Sequence, residues 1–304
     1  MATRKILITG ATGKQGGAVL NALLHPPASS PPFELLALTR NADSAASKAL
    51  AAKPSVSVVQ GNLDQPEAIF EQTSPVWGVF SVQVPMGGGQ SPETEEKQGK
   101  ALVDAAVAHG VQCFVYTSVD RGGPGVSDKD PTNVPHFISK YHVETYLREQ
   151  AAASPQQMGW TILRPVAFMD GFTPDFMGKT LAVMFKGLGD KKLQWVATKD
   201  IGHFAALAFT RPDEFRGQAI SLAGDDLTFK EVDEIFKSEI GYPVPTTFGL
   251  VGSLVKTMIG DLGTMFKWFE TNGYGANIPE LRKRHPGLLD FRQWLKTSSK
   301  FTSK

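Results

Sequence analysis

A strand that runs straight into a glycine-spaced turn, with a helix opening behind it, constrains this chain more than any other feature. Lys5-Ile-Leu-Ile-Thr9 reads as the strand, and Gly10-Ala-Thr-Gly13-Lys-Gln-Gly16 as the turn with spacing G-x-x-G-x-x-G. Gly10 permits the tight turn, Gly13 lets a pyrophosphate approach bare backbone, and Gly16 lets the helix pack close to the strand. Unpaired N–H groups and the positive dipole end of that helix then face the phosphates. Thr12, Lys14 and Gln15 lie between the glycines and belong to the same candidate dinucleotide turn.

Strand and helix patterns keep alternating through the first half of the chain. Apolar β-branched runs at 33–39, 55–60, 77–82, 112–118 and 160–163 alternate with helical patterns at 15–24, 42–52, 66–72, 94–109 and 137–150. That alternation predicts βαβ units and a Rossmann-type, doubly wound parallel sheet over residues 1–165, with ligands at the carboxyl ends of the strands. After Arg164-Pro165 the pattern turns mainly helical, with helices expected at 201–210, 229–240 and 250–272 and one strand at 218–222. Residues 166–304 are therefore expected to form a smaller C-terminal substrate or partner domain, with the chain free to cross between the two. The proline-rich stretch 25–32 cannot continue a helix and reads as a loop into the second strand. Arg121 to Asp128 reads either as an active-site loop or as an inert surface loop.

Composition excludes more than it selects. Lysine and arginine number 31 against 30 acidic residues, so no whole-chain charge calls for a nucleic acid or a membrane surface. The single cysteine, Cys113, sits in an apolar run and is expected to be a core residue in a reducing compartment. The first ten residues fall short of a secretory signal and no apolar run is long enough to span a bilayer, which predicts a cytoplasmic protein with the nucleus left open. His142 and His203 have no metal-ligand spacing with carboxylates and read as ordinary polar positions, and no metal is expected.

The second strand ends in Thr39-Arg40-Asn41. An NAD site would place a carboxylate there for the ribose 2′-hydroxyl, whereas an arginine can fork onto the 2′-phosphate of NADP(H). Lys14 is a candidate for a second positive charge nearby. Asn62 and Leu63, in the turn after the third strand, are candidates for the adenine edge.

The catalytic residues are less standard. A short-chain dehydrogenase carries Tyr-x-x-x-Lys on the helix after the fifth strand and a serine at that strand's end. This chain has Ser118 and Lys140 in those places, but His136 where the tyrosine belongs. His136, Lys140 and Glu144 share one helix face at four-residue spacing, and Tyr141 is turned away from it. Three readings stand: Lys140 anchors the ribose and donates the proton with His136 near the substrate; Lys140 only anchors a cofactor that is not turned over; or the stripe is a solvated helix face.

With these pieces the chain resembles the NmrA-like proteins, an atypical branch of the short-chain dehydrogenases close to the isoflavone reductases. The likeness rests on Gly10 to Gly16, Thr39-Arg40-Asn41, Glu95-Glu-Lys-Gln-Gly-Lys100, Phe114-Val-Tyr-Thr-Ser118 and His136-Phe-Ile-Ser-Lys140. It continues through Leu163-Arg164-Pro165, Lys199-Asp200-Ile201-Gly202, Gly217 to Leu222 and Leu289 to Leu295. The resemblance implies a cofactor domain and a small second domain meeting at a cleft, with Pro165 to Phe168 flanking the nicotinamide. It implies either reduction of a small molecule through the lysine at position 140 or an NADP(H) sensor that regulates protein partners, and it leaves a homodimer open. Phe266-Lys-Trp-Phe269 and Tyr274 are expected in a substrate pocket, a partner surface or plain core packing.

Overall fold

A computed structural model describes residues 3–27, 30–85, 89–248 and 260–302. The chain separates into two units: residues 1–119, 136–164 and 199–220 form the first, and 120–135, 165–198 and 221–304 the second. The chain thus leaves the first unit for 120–135, returns to it, leaves it again at 165 and comes back once more at 199–220.

In the first unit six strands alternate with five helices: β1 (Arg4–Ile8), α1 (Lys14–Leu23), β2 (Phe33–Thr39), α2 (Ala45–Ala51), β3 (Val56–Gln60), α3 (Pro66–Thr73), β4 (Gly78–Ser81), α4 (Pro92–Ala108), β5 (Cys113–Thr117), α5 (Pro135–Ala153) and β6 (Gly159–Pro165). With β9 (Gln218–Leu222) they build a seven-stranded sheet ordered β3-β2-β1-β4-β5-β6-β9. The pairs from β3 across to β6 are parallel, with Ile6 opposite both Leu35 and Gly78, and Tyr116 opposite Ile162. The order reverses at β1 and β4, the switch point where open α/β sheets bind ligands. Ile6, Leu7 and Ile8 are wholly buried, as a parallel strand covered on both faces requires. A core of Leu7, Leu36, Phe70, Val79, Leu102, Phe114, Leu147 and Ile162 lies under α3, α4 and α5.

Helix starts differ from the periodicity reading where caps decide them. Asn41 closes a turn by accepting the Asp43 N–H, and Ser44 caps the helix by accepting from Ser47, so α2 begins at Ala45. Ser91 caps α4, with Pro92 at its first position, where a missing N–H costs nothing. Cys113 packs in β5 as expected, and burial pushes its thiol up to about 12. Of the Pro-rich loop before β2, residues 28 and 29 lie outside the described residues.

The second unit holds a small sheet that hydrophobic periodicity did not signal. Strands β7 (Ala167–Phe168), β8 (Leu193–Val196) and β10 (Asp225–Leu227) are ordered β10-β8-β7, with β8 parallel to β7 and antiparallel to β10. Helices α6 (Phe176–Lys186), α9 (Phe229–Ile240), α10 (Gly260–Thr271), α11 (Ile278–Arg284) and α12 (Phe291–Thr297) accompany it, while α7 (Thr198–Thr210) and the short α8 (Pro212–Phe215) run back through the first unit. The one strand expected in this half, 218–222, is β9 at the edge of the large sheet. Of the helix expected at 250–272, positions 250–259 lie outside the described residues.

Trp195 packs on Phe172 and Phe185 at the centre of this unit, and Phe172 in turn on Phe291. Phe266, Trp268 and Phe269 are buried and pack on one another and on Tyr274, so they serve as core. The stretch after residue 120 is tied down at its base. Asp120 accepts the N–H groups of Gly122, Gly123 and Gly275 and the Ser221 hydroxyl, and the buried Arg121 donates to the carbonyls of Ser127 and Asp130.

Candidate functional site

The carboxyl ends of β1, β2, β3 and β4 surround a pocket of about 450 Å³ in the first unit. Each strand contributes its following turn. Gly10, Thr12 and Gly13 come after β1, Arg40 and Asn41 after β2, Gly61 to Leu63 after β3 and Val82 to Val84 after β4. Gly10 has φ +58°, and at Gly16 a Cβ would lie 2.3 Å from the Gly10 carbonyl oxygen, so the helix meets the strand as closely as the glycine spacing predicts. Gly13 is the N-cap of α1 and has no side chain to cap it.

Arg40 stands on a stiff turn. Asn41 N–H donates to Thr39 Oγ1 at 3.2 Å, and Ser47 Oγ donates to Asn41 O at 2.7 Å. The guanidinium itself is exposed, and among the described residues nothing hydrogen-bonds or ion-pairs with it. Asn62 lines the pocket, yet its amide is spent on the turn: Nδ2 donates to Asp64 and Oδ1 accepts the Asp64 N–H. Gln98, from α4, donates to the same Asp64 carboxylate, and these two bonds hold that carboxyl below the usual range. Gln83 is buried in the wall; its amide nitrogen donates to Ser81 Oγ, and its Oε1 has no donor among the described residues.

A second cluster lies on α5 beside α4. His136, Lys140 and Glu144 are all buried, which removes the reading of a solvated helix face. The Lys140 ammonium pairs with Glu95 of α4, whose other oxygen accepts from Ser139 Oγ at 2.6 Å. Ser118 donates to Glu144, and Arg164 of β6 forks onto both oxygens of that carboxylate. Burial, reinforced by the charge on Lys140, pushes His136 down to about 4, so its imidazole is neutral at pH 7. Its Nδ1 is buried with no partner among the described residues.

Of the residues expected to hold a cofactor, Gly10, Thr12, Gly13, Arg40, Asn62 and Leu63 come together around the pocket. Lys14, Gln15 and Gly16 form the first turn of α1, where Gln15 accepts a hydrogen bond from Thr117 at 2.7 Å. Pro165 and Phe168 belong to the second unit: the Pro165 carbonyl accepts the Asp120 N–H, and Phe168 pairs with Val196 in the small sheet. Sequence reasoning gave no role to Glu95 or to the Glu144–Arg164 fork. A signal for Glu95 existed, since it shares a helix face with Gly99, Leu102 and Ala106, and an acid on an apolar face needs a partner. Among the described residues no group of three or more metal-ligating side chains occurs, and no helix is long and apolar enough to cross a membrane.

A family model described as the NmrA-like family matches residues 2–294. An NmrA-like family domain-containing oxidoreductase of Aspergillus flavus is 28% identical over 267 residues, covering 78% of this chain and 73% of that protein. Triphenylmethane reductase of Citrobacter sp., solved in complex with NADP(H), has a TM-score of 0.72 at 19% identity, covering 98% of this chain and 100% of that one. NmrA, a negative transcriptional regulator solved in complex with NADP, has a TM-score of 0.69 at 19% identity, covering 97% and 94%. At such identities the two structures establish the fold.

Proposed function

The chain belongs to the NmrA-like family, and on that premise we propose that it is an NADPH-dependent reductase of a small organic molecule carrying a C=O, C=N or C=C bond. The observation that carries the reading is Lys140, the one buried lysine among the described residues, charge-paired on the helix after β5.

The pocket suits the adenosine half of NADP(H). Among the described residues Arg40 has its fork of donors uncommitted, as a 2′-phosphate needs, and the residues that line the pocket include no Asp or Glu. Gln83 Oε1 lacks a donor among the described residues, which a sugar hydroxyl or an adenine amine would supply. The bare glycine backbone at the start of α1 gives the pyrophosphate room.

NADPH held there would supply the hydride for the acceptor. The remaining work falls to side chains, and their protonation divides it. His136 is neutral at pH 7, so it orients the acceptor by hydrogen bonding and does not serve as a cationic acid. The Ser118 hydroxyl proton points to Glu144, which limits Ser118 to a supporting part in orientation. Lys140 is left to hold the nicotinamide ribose and to supply or relay the proton.

The test is NADPH oxidation against a panel of enones, imines and ketones, repeated with Lys140→Ala. Turnover with at least one acceptor, lost in the variant, supports the reductase. Tight NADP(H) binding without turnover of any acceptor would assign the chain instead to redox sensing through a protein partner.

A further inference from the structure

We propose that Glu95 is the positioning residue of Lys140: its buried carboxylate aims and holds the ammonium through which the nicotinamide ribose is gripped. The inference deepens the reductase reading and rests on Lys140 being the ribose anchor.

The arrangement is built on three independent contacts. Glu95 is wholly buried on α4, and one of its oxygens takes the Lys140 ammonium across 45 positions of sequence. Its other oxygen takes the Ser139 hydroxyl, which fixes the carboxylate plane. One turn further along, α4 and α5 are in close approach, since a Cβ at Gly99 would lie 2.7 Å from Val143 Cγ2. That close approach keeps the Glu95–Lys140 pair within the packed seam between the two helices.

Stability alone does not explain such a pair. A buried ion pair costs about as much in lost hydration as it returns in attraction, and well-packed apolar residues of the same volume do as well or better. What the pair does supply is a lysine in one rotamer. A free lysine side chain samples many rotamers, and an anchor already ordered does not lose that freedom again when the ribose arrives. An ammonium has three N–H donors, so engagement with Glu95 leaves others for ribose hydroxyls and the reacting group.

The experiment is a double-mutant cycle read as NADPH affinity by cofactor fluorescence, in the full chain, with Lys140→Met, Glu95→Gln, the double variant and Glu95→Asp. The expected result is about tenfold weaker binding for each single variant, the size of one lost charge-assisted hydrogen bond. Because Glu95 acts through Lys140, the double variant should bind no more weakly than Lys140→Met, and Glu95→Asp, which keeps the charge, should recover most of the loss. A structural role would give losses that multiply, to about 100-fold in the double variant; that result, or a Glu95→Gln variant that binds like the parent, overturns the proposal. The double variant buries neither charge alone, so if Glu95→Gln does not fold, its comparison with Lys140→Met and Glu95→Asp still decides. Lys140→Met binding like the parent would take down the ribose anchor itself, an outcome read in that variant without reference to Glu95.

Discussion

Arg164 grips Glu144 through two parallel bonds, Nε to Oε1 at 3.1 Å and Nη2 to Oε2 at 2.5 Å, with both side chains 1% exposed. The pair joins β6 to α5 beneath Ser118, which donates to the same carboxylate. Removing Arg164 leaves the buried Glu144 with Arg148, at 3.9 Å, as its remaining ion pair, so Arg164→Met should cost about 3 kcal/mol of folding stability, the low end for a broken buried pair. Combining it with Glu144→Leu should return most of that loss, because no lone charge then remains. Urea unfolding at unchanged m-value is the measurement, and an Arg164→Met protein as stable as the parent would contradict this account of the fork.

Arg40 should decide which dinucleotide is preferred. Its guanidinium has no partner among the described residues, so Arg40→Ala removes a phosphate contact and disturbs little else. Affinity for NADPH should fall about 10- to 100-fold, the range for a hydrogen bond to a charged group, while affinity for NADH stays as it was. Titration calorimetry of both cofactors on both proteins reads this directly. Equal or tighter binding of NADH by the parent would dispose of the 2′-phosphate argument.

His136 should make the protein acid-sensitive in a defined window. Its folded value is pushed from 6.5 to about 4 by burial and by Lys140. The unfolded chain therefore takes up a proton near 6.5 that the native state refuses until about 4. Stability from this group is complete above pH 6.5 and is lost as the pH falls toward 4, on the order of 3 kcal/mol in all at 1.36 kcal/mol per unit. Carboxylates titrate over the same range, so the informative quantity is the difference between parent and His136→Leu. That difference should shift in favour of the variant between pH 7 and pH 4.5, and parallel pH curves would exclude a buried neutral imidazole.

Much of the first unit was legible because its signals are local. The β1 run, the glycine spacing and Arg40 at the end of β2 lie within 36 residues of one another, and each is specified by its neighbours in sequence. The stripe on α5 was visible for the same reason, through four-residue spacing. Its partners were not: Lys140 reaches Glu95 and Glu144 reaches Arg164 over separations of 45 and 20 residues that no helical period encodes. Strands β7, β8 and β10, at two to four residues, are too short to display alternation. The return of 199–220 to the first unit is a matter of contacts alone, such as Gly202 against the Ala18 backbone, which carry no sequence period.

Gly16 offers the sharpest test of how the turn is built, because the obstacle to a side chain there is backbone. A Cβ at that position would lie 2.3 Å from the Gly10 oxygen and 2.5 Å from the Thr9 oxygen, neither of which can move without dragging β1. Thr9 is further pinned to the residue that follows β4 through its hydroxyl, which exchanges hydrogen bonds with Val82 N–H at 2.7 Å and Val82 O at 2.9 Å. Gly16→Ala should thus pry α1 away from the strand, costing about 3 kcal/mol, the upper end for overpacking, and weakening NADPH binding with it. Gly110→Ala is the control: with φ +71° and nothing within 4 Å, it carries backbone strain but no clash, and should cost only about 1–2 kcal/mol and leave cofactor affinity alone. Urea unfolding and NADPH titration on both variants separate the two effects. If Gly16→Ala proved the milder change, close helix–strand contact would not be what the third glycine provides.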